Sequence, residues 1–282
     1  MTSETSLASN KIRAVVHPTD LTASSDIAFA HAMKIALAGR AKIYILHSSS
    51  PASEDVDWTG FPGVRKVLAD WDLLKTDSSR AAVAKQLGIH VAKVEVHDRH
   101  AVRGIVGFLD THDSEFLVLA THRREGLSRW LHDSIAEPIA RHAHVKALFV
   151  PEGGRGFIDP DRGEVHLRRV LIPIDHEPRP ERAIDAAWQL ARLLGSDAHI
   201  RLLYVGSEAD MPVVHNLPEG VERSVKEGDV VDEILTSAGD WEADLIAMST
   251  SGHQGFLDAL RGSTSERILR QAPCPVLVVP MS

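Results

Sequence analysis

The chain repeats itself, and the repeat limits its fold more than any other feature. Thr121–Pro151 aligns without a gap to Thr250–Pro280. Thr121, Gly126, Leu131, Ser134, Glu137, Arg141, Ala143 and Pro151 face Thr250, Gly255, Leu260, Ser263, Glu266, Arg270, Ala272 and Pro280. Upstream, Val102 and Ile105 face Val231 and Ile234 at the same offset. The two starts also match: Ala14–Asp20 and Arg169–Asp175 are each a short apolar run closed by Pro-x-Asp. A chain of 282 residues leaves one or two domains open. Duplication of one unit of about 140 residues selects two. The expected division is 1–152 and 167–282, joined by 153–166, a stretch rich in Gly and charge with no periodicity.

Within each unit, short β-branched runs alternate with amphipathic segments. Strands are predicted at Arg13–Val16, Lys42–Leu46, His90–Val96, Phe116–Ala120 and Lys146–Val150. Helices are predicted over Ser24–Ala38, Val64–Gln86, Val102–Thr111 and Ser134–His142. The second unit repeats this at Val170–Ile174, Ala198–Tyr204, Glu222–Val225, Leu245–Met248 and Val276–Val279. Its helices are expected at Arg179–Leu194, Val231–Ala238 and Ser263–Gln271. Only Val205–Val221, broken by Pro212, Pro218 and Gly220, separates its second and third strands, so the helix there is expected to be lost. Strands alternating with helices imply a parallel, doubly wound α/β sheet. The expected fold is two tandem flavodoxin-like (Rossmann-like) domains, each a mostly parallel five-stranded sheet of order 3-2-1-4-5. The apolar last strands, Ala147–Val150 and Val276–Val279, are the natural edges for pairing the halves as an intramolecular pseudo-dimer. Further homodimerisation is left open.

Composition removes several classes. A net charge of −8 argues against a general nucleic-acid or anionic-membrane binder. No apolar run reaches the length of a membrane helix, and the polar start lacks the apolar stretch of a secretory signal. The single Cys, Cys274, cannot form an internal disulfide. The expectation is a cytoplasmic protein.

In such sheets a ligand sits beyond the C-terminal strand ends, where the strand order reverses. In the second half that point joins Pro173-Ile174-Asp175 to Ser249–Gly255, a loop carrying Gly252, His253 and Gly255. It runs on to Gly262, Ser263 and Thr264, where a helix begins. Glycines let backbone approach an oxyanion, and a helix start offers free N–H groups to phosphate. Asp175 could accept hydrogen bonds from a ribose. The bland readings stand beside these. Ser263 and Glu266 have the spacing of a capping box, Gly252 and Gly255 suit turns, and Asp175 and Asp20 suit strand-ending turn acids.

Both halves resemble the universal stress protein family, through Pro-x-Asp after the first strand, the Gly loop with Gly262-Ser263, and the ending Pro273–Pro280. The resemblance implies stress-response regulation. It also implies an adenine nucleotide, ATP, bound in the second half only, with Asp175 at the adenosine end and Gly252, Gly255, Gly262, Ser263 and Thr264 at the phosphates. The spacer Phe256–Arg261 is three residues shorter than the family pattern. In the first half, Arg123 and Asp133 replace Gly252 and Gly262, which reads as a degenerate copy even though Asp20 remains. The alternatives are a nucleotide-independent scaffold for an unknown protein partner and a weak ATP hydrolase. No nucleophile elbow or zinc-protease motif is present, so no catalytic residue is expected. The sixteen His include His97/His100 and His142/His144, yet no set has zinc-ligand spacing.

Overall fold

The computed structural model describes residues 12–49, 57–58, 61–98, 100–121, 145–215, 217, 219–251 and 264–281. Five strands form the first half: β1 (Ala14–Pro18), β2 (Lys42–Ser49), β3 (His90–His97), β4 (Phe116–Thr121) and β5 (Lys146–Pro151). The second half contributes β6 (Arg169–Ile174), β7 (His199–Val205), β8 (Glu222–Lys226), β9 (Leu245–Ser251) and β10 (Val276–Met281). All ten lie in one sheet, ordered β3-β2-β1-β4-β5-β10-β9-β6-β7-β8. Each half therefore has the expected 3-2-1-4-5 order with parallel neighbours.

The halves join where β5 runs antiparallel to β10, with Val276 opposite Phe149, Leu277 opposite Leu148 and Val278 opposite Ala147. These are the last apolar strands of the two repeats. Left bare, each would be an edge open to association; paired, they make one continuous ladder. Leu148 and Leu277 are fully buried.

One sheet face carries α1 (Asp26–Gly39), α2 (Val64–Asp70), α3 (Arg80–Ala82, continuing as a π turn through Val83–Leu87) and α5 (Glu181–Leu193). The other carries α4 (Ala101–Thr111), α6 (Val230–Asp240) and α7 (Thr264–Gln271). The α5 stripe Ala183, Ile184, Ala187, Leu190 and Ala191 recurs at helical spacing and is buried. Asp229 caps α6, its Oδ1 accepting the N–H groups of Val231 and Asp232 at 3.0 and 3.1 Å. Both buried clusters run across the seam, so the two halves share a core on each face.

Two segments differ from the sequence reading. The helix expected over Val64–Gln86 stops at Asp70 and resumes at Arg80. Trp71 turns into the core, its indole N–H donating to the Pro160 carbonyl at 2.9 Å, and Asp72 takes a left-handed conformation (φ 55°). This tertiary anchor outweighs the helical periodicity. The connecting stretch 153–166 is not an open tether. Phe157 and Ile158 are buried, Ile158 bridges Val165, and a Cβ at Gly163 (φ 65°) would run into the Trp71 ring. The Phe157 N–H donates to His31 Nε2 at 3.0 Å, tying the segment to α1. Arg155 reaches the other half, 3.8 Å from Glu242.

Between β7 and β8 the described residues hold only a 3-10 turn, Glu208–Asp210. Val214 drops into the core in place of a helix, with Met211, Leu217 and Val221 packed beside it.

Candidate functional site

Strand register opens a gap in each half. β6 follows β7 along Arg169–Ile174 but matches β9 only at Val170 with Leu245 and Leu171 with Ile246. Likewise β1 follows β2 along Ala14–Pro18 but matches β4 only at Val15 with Phe116 and Val16 with Leu117. Beyond those pairs the central strands part, at the C-terminal strand ends where the order reverses.

The first-half gap is filled by the chain itself. His17, the fourth residue of β1, is fully buried against Phe29 and Phe61, with ring centroids 5.6 and 6.3 Å away. Its Nδ1 lies 2.9 Å from the Val118 carbonyl of β4, so the side chain bridges the strands where the ladder stops. Nδ1 must carry the proton to donate to that carbonyl. Burial pushes the pKa down to about 4, so the ring is neutral at pH 7. Nε2 is buried and has no partner. Asp20 is a turn acid: its Oδ1 accepts the Thr22 N–H at 3.0 Å, the Thr22 hydroxyl at 2.7 Å and the Ser25 hydroxyl at 3.0 Å. The space left between Pro18, Asp20, Ser25, Leu119 and Ala120 is about 10 Å³, room for no more than a water.

The second half is built differently at the same place. Ile172 stands where the first half has His17, and it has no polar group to span the gap. Ser249 stands where the first half has Ala120; its Oγ is buried without a hydrogen-bond partner. A buried unpaired hydroxyl costs about 1–3 kcal/mol unless a ligand or water satisfies it. Pro173 is half-buried in register with Leu203, and Asp175 is exposed just beyond the strand. Asp175 Oδ1 accepts the His176 N–H at 2.7 Å. His176 Nε2 is 2.9 Å from the Asp210 carbonyl, which pins the shortened crossover beside the gap. Thr264 is exposed as the first residue of α7. Gly252, His253, Gly255, Gly262 and Ser263 lie outside the described residues, as do Arg123, Asp133, Ser134 and Glu137.

Among the described residues no group of three His, Cys, Asp or Glu could hold a metal ion. His97 accepts or donates locally, 3.0 Å from the Ser49 hydroxyl, while His142 and His144 lie outside the described residues. Cys274 is buried, and burial raises its thiol to about 12, the opposite of a nucleophile. His31 is the second fully buried imidazole: Nδ1 donates to the Ile27 carbonyl at 2.7 Å and Nε2 accepts from Phe157. Sequence reasoning missed His17 and His31. The available signal was a His at an apolar position of one repeat where the other has Ile172 or Ala186.

The sequence model of the universal stress protein family matches residues 11–151 and 213–280, in both halves. The chain belongs to the universal stress protein family. It is 28% identical over 143 residues to universal stress protein A homolog 1 of Coxiella burnetii, covering 41% of this chain and 97% of that one. It is 42% identical over 113 residues to universal stress protein MJ0531 of Methanocaldococcus jannaschii, covering 39% of this chain and 62% of that one. A universal stress protein structure from Archaeoglobus fulgidus superposes with a TM-score of 0.62 at 18% identity, covering 95% of this chain and 96% of that one. The last likeness speaks for the fold alone. No helix among the described residues is long and apolar enough to cross a membrane.

Proposed function

We propose that this universal stress protein is a cytoplasmic, nucleotide-responsive regulator that holds one adenine nucleotide, ATP, in its second half. The domains that carry this division are 1–152 and 167–282, with 153–166 between them. The observation that carries the reading is the asymmetry of the two gaps: His17 spans the first, whereas Ile172 leaves the second unspanned beside the unsatisfied Ser249 hydroxyl. Asp175 and Pro173 would hold the adenosine end. Gly252, His253, Gly255, Gly262, Ser263 and Thr264 would meet the phosphates through backbone N–H groups and the start of α7, which need no lysine. That is compatible with a net charge of −8.

Titration of the full chain with a fluorescent ATP analogue tests this. Binding that Gly262→Asp weakens at least about tenfold supports it, since the carboxylate repels phosphate and the side chain blocks backbone approach. Absence of binding at millimolar ATP leaves the second reading, a nucleotide-independent scaffold. The Asp175 carboxylate already capping the His176 N–H favours that reading. Phosphate release above a no-protein control would instead indicate hydrolysis.

A further inference from the structure

The break between α2 and α3 does more than interrupt a helix. It opens a cavity of about 700 Å³ against β3, the outermost strand of the first half. Its apolar lining comes from Val64, Val83, Ala84, Ile89 and Val91, of which Val83 and Ile89 are buried. Its charged lining is Arg65, Lys66, Arg80 and Lys93, and no carboxylate lines it among the described residues. In a chain of net charge −8 this is a local excess of positive charge.

Two of these cations are already engaged. Lys66 Nζ lies 2.7 Å from Asp70 Oδ2, and Asp161 acts on it from farther away. Arg65 donates to the Ser78 carbonyl at 3.0 Å. Arg80 and Lys93 have no ion-pair partner among the described residues. Lys93 lies over the rings of Trp58 and Phe61, at 4.8 and 5.8 Å from their centroids. Its ammonium is pulled below the usual lysine pKa, by desolvation first and by the Arg80 charge second. Two cations without carboxylate partners in the lining of one cavity repel each other, and an anion between them would relieve that repulsion. Among the described residues, the crossover of the second half holds only a 3-10 turn and has neither helix to wall such a cavity.

We propose that this cavity binds an organic anion, with an apolar body against Val83, Ile89 and Val91 and a phosphate or carboxylate head between Arg80 and Lys93. The volume falls within the range of about 300–1,000 Å³ usual for small-molecule sites. Charge-assisted hydrogen bonds from a guanidinium fit either head group. The site lies at a sheet edge and not where strand order reverses, so it is separate from the nucleotide crevice proposed above and does not depend on it.

The test is calorimetric titration of the full chain with decyl phosphate and decanoate below their micelle concentrations, with decanol and inorganic phosphate as comparators. The expected result is one anion per chain, with decanol and inorganic phosphate each weaker by at least about tenfold. The tighter of decyl phosphate and decanoate identifies the head group. Arg80→Gln combined with Lys93→Gln should weaken the anion by at least about tenfold, and both positions are exposed, so the fold should persist. Ala84→Trp, which fills the cavity from the α3 side, should remove binding while leaving every charge in place. Anion binding unchanged in both variants, decanol binding as tightly as the anions, or no anion binding at all would overturn the proposal.

Discussion

The first half closes its central gap with a histidine and the second leaves the same gap to isoleucine. In the first, His17 hydrogen-bonds Val118, Asp20 is consumed by its own turn, and about 10 Å³ remains. In the second, Ile172 offers no bridge, Asp175 is exposed, and Ser249 carries a buried hydroxyl without a partner. The sheet order and the register of the gap are the same in both. The two copies therefore share a scaffold and differ in the side chain that stands at its central gap.

The comparison presupposes that the halves are one body, and the largest effect should come from breaking the seam. Leu148→Asp places a carboxylate opposite Leu277 inside the shared buried core. Burying an unpaired charge should cost at least about 3–5 kcal/mol, read from denaturant unfolding. A loss below about 1 kcal/mol would mean that β5 and β10 are not paired in solution.

A second effect should localise acid sensitivity to the first half. His17 and His31 are buried and neutral, each with a folded pKa of about 4 against an unfolded value of 6.5. The unfolded chain gains protons below pH 6.5 that the folded chain refuses until about pH 4. Their contribution is therefore complete above pH 6.5 and is lost as pH falls towards 4. His17→Ile, which copies the second half, should flatten that loss by about 3 kcal/mol. The same pH slope in wild type and variant would show that His17 is solvated or paired. Ile172→His is the converse test: it should bridge to β9, close the second gap and weaken nucleotide binding.

The smallest effect concerns helix starts. Asp229 caps α6 through two N–H groups, whereas the aligned position in the first half is His100, whose side chain does not cap α4. Asp229→Ala should cost about 1 kcal/mol in a thermal or urea melt. A neutral result would mean that neither the cap nor the ion pair with Arg267, 3.4 Å away and removed by the same substitution, contributes measurably.

Much of this architecture was legible because apolar runs of period two and stripes of period 3.6 survive in both repeats. The β5–β10 seam followed from two apolar final strands needing cover. The lost second crossover followed from Pro212, Pro218 and Gly220. What escaped was set by tertiary contact. Trp71 and Gly163, far apart in sequence, end the helix at Asp70 and so create the basic cavity. Phe157 and Ile158 convert an apparent linker into part of the core. His17 looked like one of many scattered histidines until Val118 was placed beside it. Of the candidate site, Pro173, Asp175 and Thr264 are described, and the sequence alone could not choose between a turn acid and a ligand at Asp175.

Whether one crevice or both take a nucleotide is decided by the calorimetric stoichiometry of ATP on the full chain. One site per chain is expected, weakened in Ile172→His and retained in Asp20→Ala. Two sites per chain, or a single site abolished by Asp20→Ala and indifferent to Ile172→His, would contradict it.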